Sequence, residues 1–215
     1  MNTNPDAITI LCYGDSNTRG SRPDNWRRYS ANVRWTGILQ AGLGPEYYVI
    51  EEGRGGRTTD IDHPQVPGRN GRLYLQPCLE SHNPLDIIII MLGTNDLKQM
   101  FKRTAQDIGH ALESLLDDIN LYAKDRNNDT PKIIIVSPVY IAKNILDTEG
   151  GERFGESAHE KSLKLAAVYK QIADNRGLIF FDAAQVASVG PDGVHIDETG
   201  HKSLGQALTK VVVSV

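Results

Sequence analysis

Five short runs of apolar and β-branched residues punctuate the chain: Ile8–Tyr13, Tyr47–Glu51, Asp86–Leu92, Lys132–Ser137 and Leu178–Asp182. Several are apolar at successive positions, the pattern of strands covered on both faces. Between them, Val33–Leu43, Thr104–Lys124, Glu160–Asn175 and Glu198–Val213 carry apolar residues at helical spacing. In the second of these the stripe is Ile108, Ala111, Leu112, Leu115, Leu116 and Ile119. Strands alternating with helices predict a three-layer α/β fold around a parallel sheet, with right-handed connections. Gly20–Arg28 and the Pro/Gly-rich Asp60–Gly71 read as surface loops, and Tyr140–Glu156 as an irregular insertion. No repeat, linker or low-complexity segment interrupts the pattern, so residues 1–215 read as one domain.

Composition narrows the partners. The 215 residues are 40% hydrophobic, enough for a self-sufficient core. A formal net charge of −4, with no basic tract of five or more residues, argues against nucleic acid and anionic membrane surfaces. The two cysteines, Cys12 and Cys78, read as free buried thiols in a reducing compartment. The opening MNTNPDAITI has neither a basic region nor a long apolar one, so no secretory signal is expected. The longest apolar run, Ile87–Leu92, is far too short to span a bilayer. The expectation is a soluble, cytoplasmic protein.

Polar, glycine-containing segments follow the predicted strands: Gly14-Asp15-Ser16-Asn17, Gly53-Arg54-Gly55-Gly56-Arg57-Thr58, Gly93-Thr94-Asn95-Asp96 and, near the chain end, Asp192-Gly193-Val194-His195. In a parallel sheet all four emerge on one edge, where such folds place function. The Asp192/His195 spacing lets a carboxylate reach an imidazole, fix its tautomer and leave Nε2 as a base. The plainer reading is a capped turn beside a surface histidine. Ser16 is either a helix cap or a nucleophile activated by His195. Gly56 and Asn95 are either turn residues or donors to an oxyanion, together with the Ser16 N–H. The Gly-x-Ser-x-Gly elbow is absent, since Thr18 stands two residues after Ser16. The four segments in order on one edge weigh against turn chemistry alone.

This set resembles the four blocks of the SGNH, or GDSL-like, hydrolases, in order and across the whole chain. Val33-Arg34-Trp35-Thr36-Gly37, Glu51-Glu52-Gly53 and Arg57-Thr58-Thr59 look more specifically like the bacterial arylesterase/acyltransferase, perhydrolase-like branch. The resemblance implies a flavodoxin-like α/β/α sandwich with a central parallel five-stranded sheet. It also implies a serine esterase of small aryl or acetyl esters, without metal or cofactor, with acyl transfer as a related activity. By position Ser16 is the nucleophile, His195 the general base and Asp192 its orienter. The oxyanion hole is Ser16 N–H, Gly56 N–H and the Asn95 amide, while Asp15 and Asp96 are supports. The branch also implies a homo-oligomer.

The chain departs from the family at Asn17, where the motif has Leu, and at Arg19, where the branch often carries a large apolar side chain; Arg54 adds a further charge. These three are assigned to the substrate pocket, which they make more polar and less suited to acyl transfer in water. Trp26, Tyr29 and Tyr140 either line that pocket or pack. Two rivals are kept. A metal-dependent phosphoesterase would use the strand-end acids and a late histidine, but the first strand lacks an Asp-x-His pair. A non-catalytic module would use the glycine turns as an anion nest.

Overall fold

The computed structural model describes residues 2–215. Five parallel strands, β1 (Ile8–Gly14), β2 (Tyr47–Gly53), β3 (Ile87–Met91), β4 (Lys132–Ser137) and β5 (Ile179–Asp182), form one sheet in the order β2-β1-β3-β4-β5. That is the doubly wound, flavodoxin-like order, with its switch point between β1 and β3. The α/β/α sandwich expected from the sequence is the fold observed.

Burial explains the strand composition. β3 is buried at every position, whereas the edge strands β2 and β5 are half-buried throughout. On one face Leu11, Tyr13, Ile88, Ile90, Ile133 and Ile135 pack under α3 (Gly71–His82), α4 (Ala105–Tyr122) and α6 (Ala158–Arg176). On the other, Ile10, Cys12, Ile87, Ile89, Ile134 and Val136 pack under α2 (Trp35–Leu43) and α7 (Glu198–Val213). Each such Ile or Leu contributes roughly 1.5–3 kcal/mol by leaving water. Both cysteines are buried and unpaired. Among the described residues no helix is long and apolar enough to cross a membrane.

Local chemistry sets the helix ends. α4 begins in a capping box, in which the Thr104 side chain accepts from Asp107 N–H and the Asp107 carboxylate accepts from Thr104 N–H. α6 ends on Gly177 at φ 65. α7 starts after Asp197, whose carboxylate accepts from Gly200 N–H at 2.7 Å. Two short helices, α1 (Ser16–Arg19) and α5 (Gly151–Phe154), sit near the C-terminal edge of the sheet. A Cβ on Gly53 would lie 2.1 Å from Arg19 N, so the end of β2 must be glycine for α1 to cross it.

Two expectations change. Gly71, assigned to the end of a loop, instead begins α3, which the sequence reading lacked altogether. Pro77 lies inside that helix, and the exposed Leu73 and Tyr74 blur its short buried stripe of Leu75, Cys78 and Leu79. The Tyr140–Glu156 insertion is more ordered than expected: it holds a 3₁₀ turn at Ile145–Asp147 and α5, anchored by buried Ile145 and Phe154.

Candidate active site

The four glycine-containing segments meet at the C-terminal edge of the sheet. Ser16, Gly56, Asn95 and His195 all line one cavity of about 230 Å³. Ser16 opens α1 directly after β1, and Asn95 opens a 3₁₀ turn (Asn95–Leu97) just beyond β3. The cavity therefore sits at the switch point of strand order, where parallel sheets open a crevice.

Asp192 and His195 form a closed unit. Asp192 Oδ2 lies 2.5 Å from His195 Nδ1, and Oδ1 accepts from Val194 N–H at 3.0 Å and His195 N–H at 2.9 Å. Burial pushes the Asp192 carboxyl up, but the hydrogen bonds and charge of His195 and the N–H of Val194 outweigh it. The net effect holds Asp192 below the ordinary carboxylate range. With Nδ1 engaged, His195 Nε2 is left without a protein partner among the described residues. The Asp192 carbonyl accepts from Thr148 Oγ1 at 3.0 Å, and the Gly193 carbonyl from Ala142 N–H at 2.9 Å, so the 140–156 segment braces this loop.

Asp15 and Asp96 are buried supports. Asp15 Oδ1 accepts from Asn17 N–H at 2.9 Å and so caps α1, while Oδ2 lies 3.4 Å from Asn95 Nδ2. Burial raises the Asp15 pKa despite the Asn17 N–H and nearby positive charge. Asp96 accepts from the N–H and hydroxyl of Thr59 and pairs with Arg103 at 2.9 Å. Burial raises its pKa to about 6 against those contacts. Asp96 thereby ties the β3 turn to the segment that follows Gly56.

Three groups at the cavity are hydrogen-bond donors. Ser16 N–H and Gly56 N–H have no protein acceptor among the described residues. Asn95 Nδ2 donates to the Arg57 carbonyl at 3.0 Å and reaches Asp15 at the longer 3.4 Å. Gly56 has φ 76, and a Cβ there would lie 2.7 Å from the Arg69 guanidinium. Glycine is thus favoured by the left-handed backbone, and the Arg69 guanidinium packs on the space a side chain would take.

The residues assigned to the pocket divide. Arg19 lines the cavity. Asn17 does not: it is buried beneath it, donating from Nδ2 to the Val194 carbonyl at 3.3 Å and accepting at Oδ1 from Ile196 N–H at 2.9 Å. It clamps the backbone on both sides of His195. Arg54 is also outside the cavity, because its guanidinium is spent on the carbonyls of Gly55 and Pro67 at 3.1 Å each, strapping down the 60–71 loop. Tyr29 and Tyr140 are not cavity residues, whereas Trp26 is. Its backbone is left-handed at φ 62, and its ring centroid lies 5.9 Å from that of His195.

Sequence reasoning missed three basic residues on the cavity wall: Arg69, Lys98 and Arg153. Lys98 had a signal, since three residues after Asn95 in a tight turn is the same side. Arg69 is set by Thr58, which donates to its carbonyl from N–H at 2.9 Å and from Oγ1 at 3.1 Å. Arg153 lay in the segment read as irregular. A group of acidic, Cys and His side chains with metal-compatible spacing also exists, at Glu52, Cys78 and His82, and none of the three lines the cavity.

A parallel α/β/α sandwich with a serine, an Asp–His pair, a glycine N–H and an asparagine at one switch point defines a class of hydrolase scaffold. The chain belongs to the GDSL-like Lipase/Acylhydrolase family, matched over residues 12–202. It is similar to the solved aryl esterase of M. smegmatis, 40% identical, with 97% of this chain and 99% of that one covered at a TM-score of 0.90. A carbohydrate acetylesterase from Sinorhizobium meliloti is 36% identical, over 96% of this chain and 98% of that one, at a TM-score of 0.87. An acetylxylan esterase of Xylanibacter ruminicola is 26% identical over 96% of this chain. A lipoprotein of Bacillus subtilis is 33% identical over 40% of this chain. The chain spans 43% and 31% of the lengths of these last two relatives.

Proposed function

We propose that this chain is a serine esterase that hydrolyses small carboxylic esters through an acyl-Ser16 intermediate. One observation carries the reading: Ser16 shares a cavity with Gly56, with Asn95 and with a histidine whose Nδ1 is held by Asp192 at 2.5 Å. The similarity to an aryl esterase and a carbohydrate acetylesterase supports an ester as substrate.

In this mechanism Ser16 Oγ attacks the ester carbonyl carbon as His195 Nε2 takes its proton. Asp192 stabilises the resulting imidazolium. The oxyanion is met by Ser16 N–H, Gly56 N–H and the Asn95 amide, the last exchanging its long contact with Asp15 for the stronger charge-assisted bond. His195 then protonates the departing alcohol. Water attacks the acyl-enzyme with His195 again as base, releasing the acid and regenerating Ser16. The cavity wall is polar and charged, which admits water as the acceptor, so hydrolysis is the main outcome and transfer to alcohols a minor one.

A fluorophosphonate probe tests the reading. It labels Ser16 in the folded protein, and Ser16→Ala abolishes both the adduct and turnover of 4-nitrophenyl acetate, with activity indifferent to EDTA. Wild-type turnover by Ser16→Ala overturns the assignment. Turnover lost to EDTA and restored by added metal favours metal-dependent chemistry instead. A folded protein that takes no label and turns over no ester is a binding module.

A further inference from the structure

The cavity wall is cationic without a counter-charge. Arg19, Arg69, Lys98 and Arg153 all line it, and no carboxylate does. Lys98 is only 6% exposed, yet its ammonium has no ion-pair or hydrogen-bond partner among the described residues. Burial, then Arg69 and Arg153, lower its pKa to about 8 against the pull of Asp15 and Asp96. Arg69 Nε is buried without a partner, and its guanidinium packs on Gly56. Arg153 has no carboxylate within ion-pair distance and lies 4.2 Å over the Trp26 ring. Burial and neighbouring arginine charge lower the pKa of Arg69, and burial lowers that of Arg153.

Buried cations are normally paired, because an unpaired one forfeits its hydration for nothing. Elsewhere in the chain buried Arg57 is held by the Gly14 and Glu52 carbonyls and the Tyr13 ring, and other cations are paired with acids. Arg34 pairs with Glu51 at 2.5 Å, and Arg103 with Asp60 at 2.5 Å and Asp96 at 2.9 Å. Three of the acids that act on the cavity cations are already engaged, Asp192 by His195, Asp15 by Asn17 N–H, and Asp96 by Thr59 and Arg103, and the fourth, Glu149 beside Arg153, is exposed and lies outside the cavity. An anion entering the space of about 230 Å³ that also holds Ser16 would meet these cations.

We propose that the substrates of this site are esters bearing a carboxylate, which Lys98 and Arg153 bind while Arg69 stands beside Gly56. The proposal rests on the serine-esterase reading and adds the chemical class of the ester. A carboxylate on the acyl chain and one on the leaving group satisfy the same cations, and matched substrates separate the two.

The experiment measures kcat/KM for mono-4-nitrophenyl succinate against its methyl ester, and for 4-acetoxybenzoate against its methyl ester. Two single variants, Lys98→Met and Arg153→Gln, are run beside the wild type. In the wild type at least one carboxylate exceeds its neutral partner by about tenfold or more, the scale of one charge-assisted hydrogen bond. The pair that shows the preference locates the anion on the acyl or the leaving-group side. The ratio falls towards unity in the variants and, in the wild type, with added salt. Should Lys98→Met not fold, Arg153→Gln carries the comparison. Neutral esters turned over as well as both carboxylates overturn the anion claim alone. So does a preference that survives in the folded variants. No turnover of any ester, with no fluorophosphonate adduct, overturns the esterase reading and this proposal with it.

Discussion

Asn17 carries more of the site than its position suggests. It stands one residue past the proposed nucleophile and is buried under it, with both ends of its amide spent on the backbone flanking His195. Asn17 thus joins α1 to the loop of His195, its amide reaching Val194, 177 residues further along the chain. Asn17→Ala leaves the Val194 carbonyl and Ile196 N–H unpaired in a buried setting, a cost of about 1–3 kcal/mol. It also frees the His195 loop, so kcat is expected to fall on the order of tenfold, since small misplacements of a base are expensive. Thermal unfolding and steady-state kinetics together check this; a lower Tm with kcat unchanged makes Asn17 a fold brace only. The same residue marks the limit of sequence reading. Its oddity against the family motif was visible, but its direction was not, because a polar residue near a site points into it or away from it with the same letters. Ser16, Gly56, Asn95, Asp192 and His195 were legible because each sits in a short block with its own chemistry. Arg69, Lys98 and Arg153 were not, because an isolated basic residue becomes part of a site only through the fold.

At the scale of elements, the strands and four of the helices were legible because burial leaves a periodic trace in them. α4 and α7 carry apolar stripes, and α7 ends where the pattern does, at Val213. α3 left a shorter trace, interrupted by Pro77 and by the exposed Leu73 and Tyr74. It buries only Gly71, Leu75, Cys78 and Leu79, and Pro77 withholds the N–H that would reach the Leu73 carbonyl. Tertiary packing against α4 and the sheet holds the helix despite its propensity. This gives a direct expectation. Pro77 is exposed, so Pro77→Ala restores a backbone hydrogen bond without disturbing the core. Stability is expected to rise by about 1–3 kcal/mol, the helix gain being partly offset by a freer unfolded chain. Urea unfolding measures it, and an unchanged or lower midpoint shows that the ring of Pro77 contributes packing instead.

Across the whole molecule, the layer opposite α3 contains a titrating group that ties distant parts of the chain together. His201 on α7 is fully buried. Its Nδ1 accepts from the N–H of Trp35, the first residue of α2, at 3.3 Å, and its ring meets Tyr29 edge-on at 5.4 Å. An accepting Nδ1 requires the neutral ring, so a proton there turns an acceptor into a donor facing a donor. Burial lowers its pKa from 6.5 to about 4; Asp197 opposes this, and Arg34 and His195 add to it. The sign follows from proton counts. Between pH 6.5 and 4 the unfolded chain binds a proton at this position that the folded chain refuses, so stability falls as pH falls. The contribution is complete above the unfolded pKa, and about 3 kcal/mol has been lost once the pH is below both values. His201→Gln keeps an acceptor for Trp35 N–H and removes the titration. Urea melts of the two proteins at pH 7.5 and pH 4.5 are expected to diverge, with the wild type losing about 2–3 kcal/mol more than the variant on acidification. Equal losses in both would place the acid sensitivity on groups other than His201.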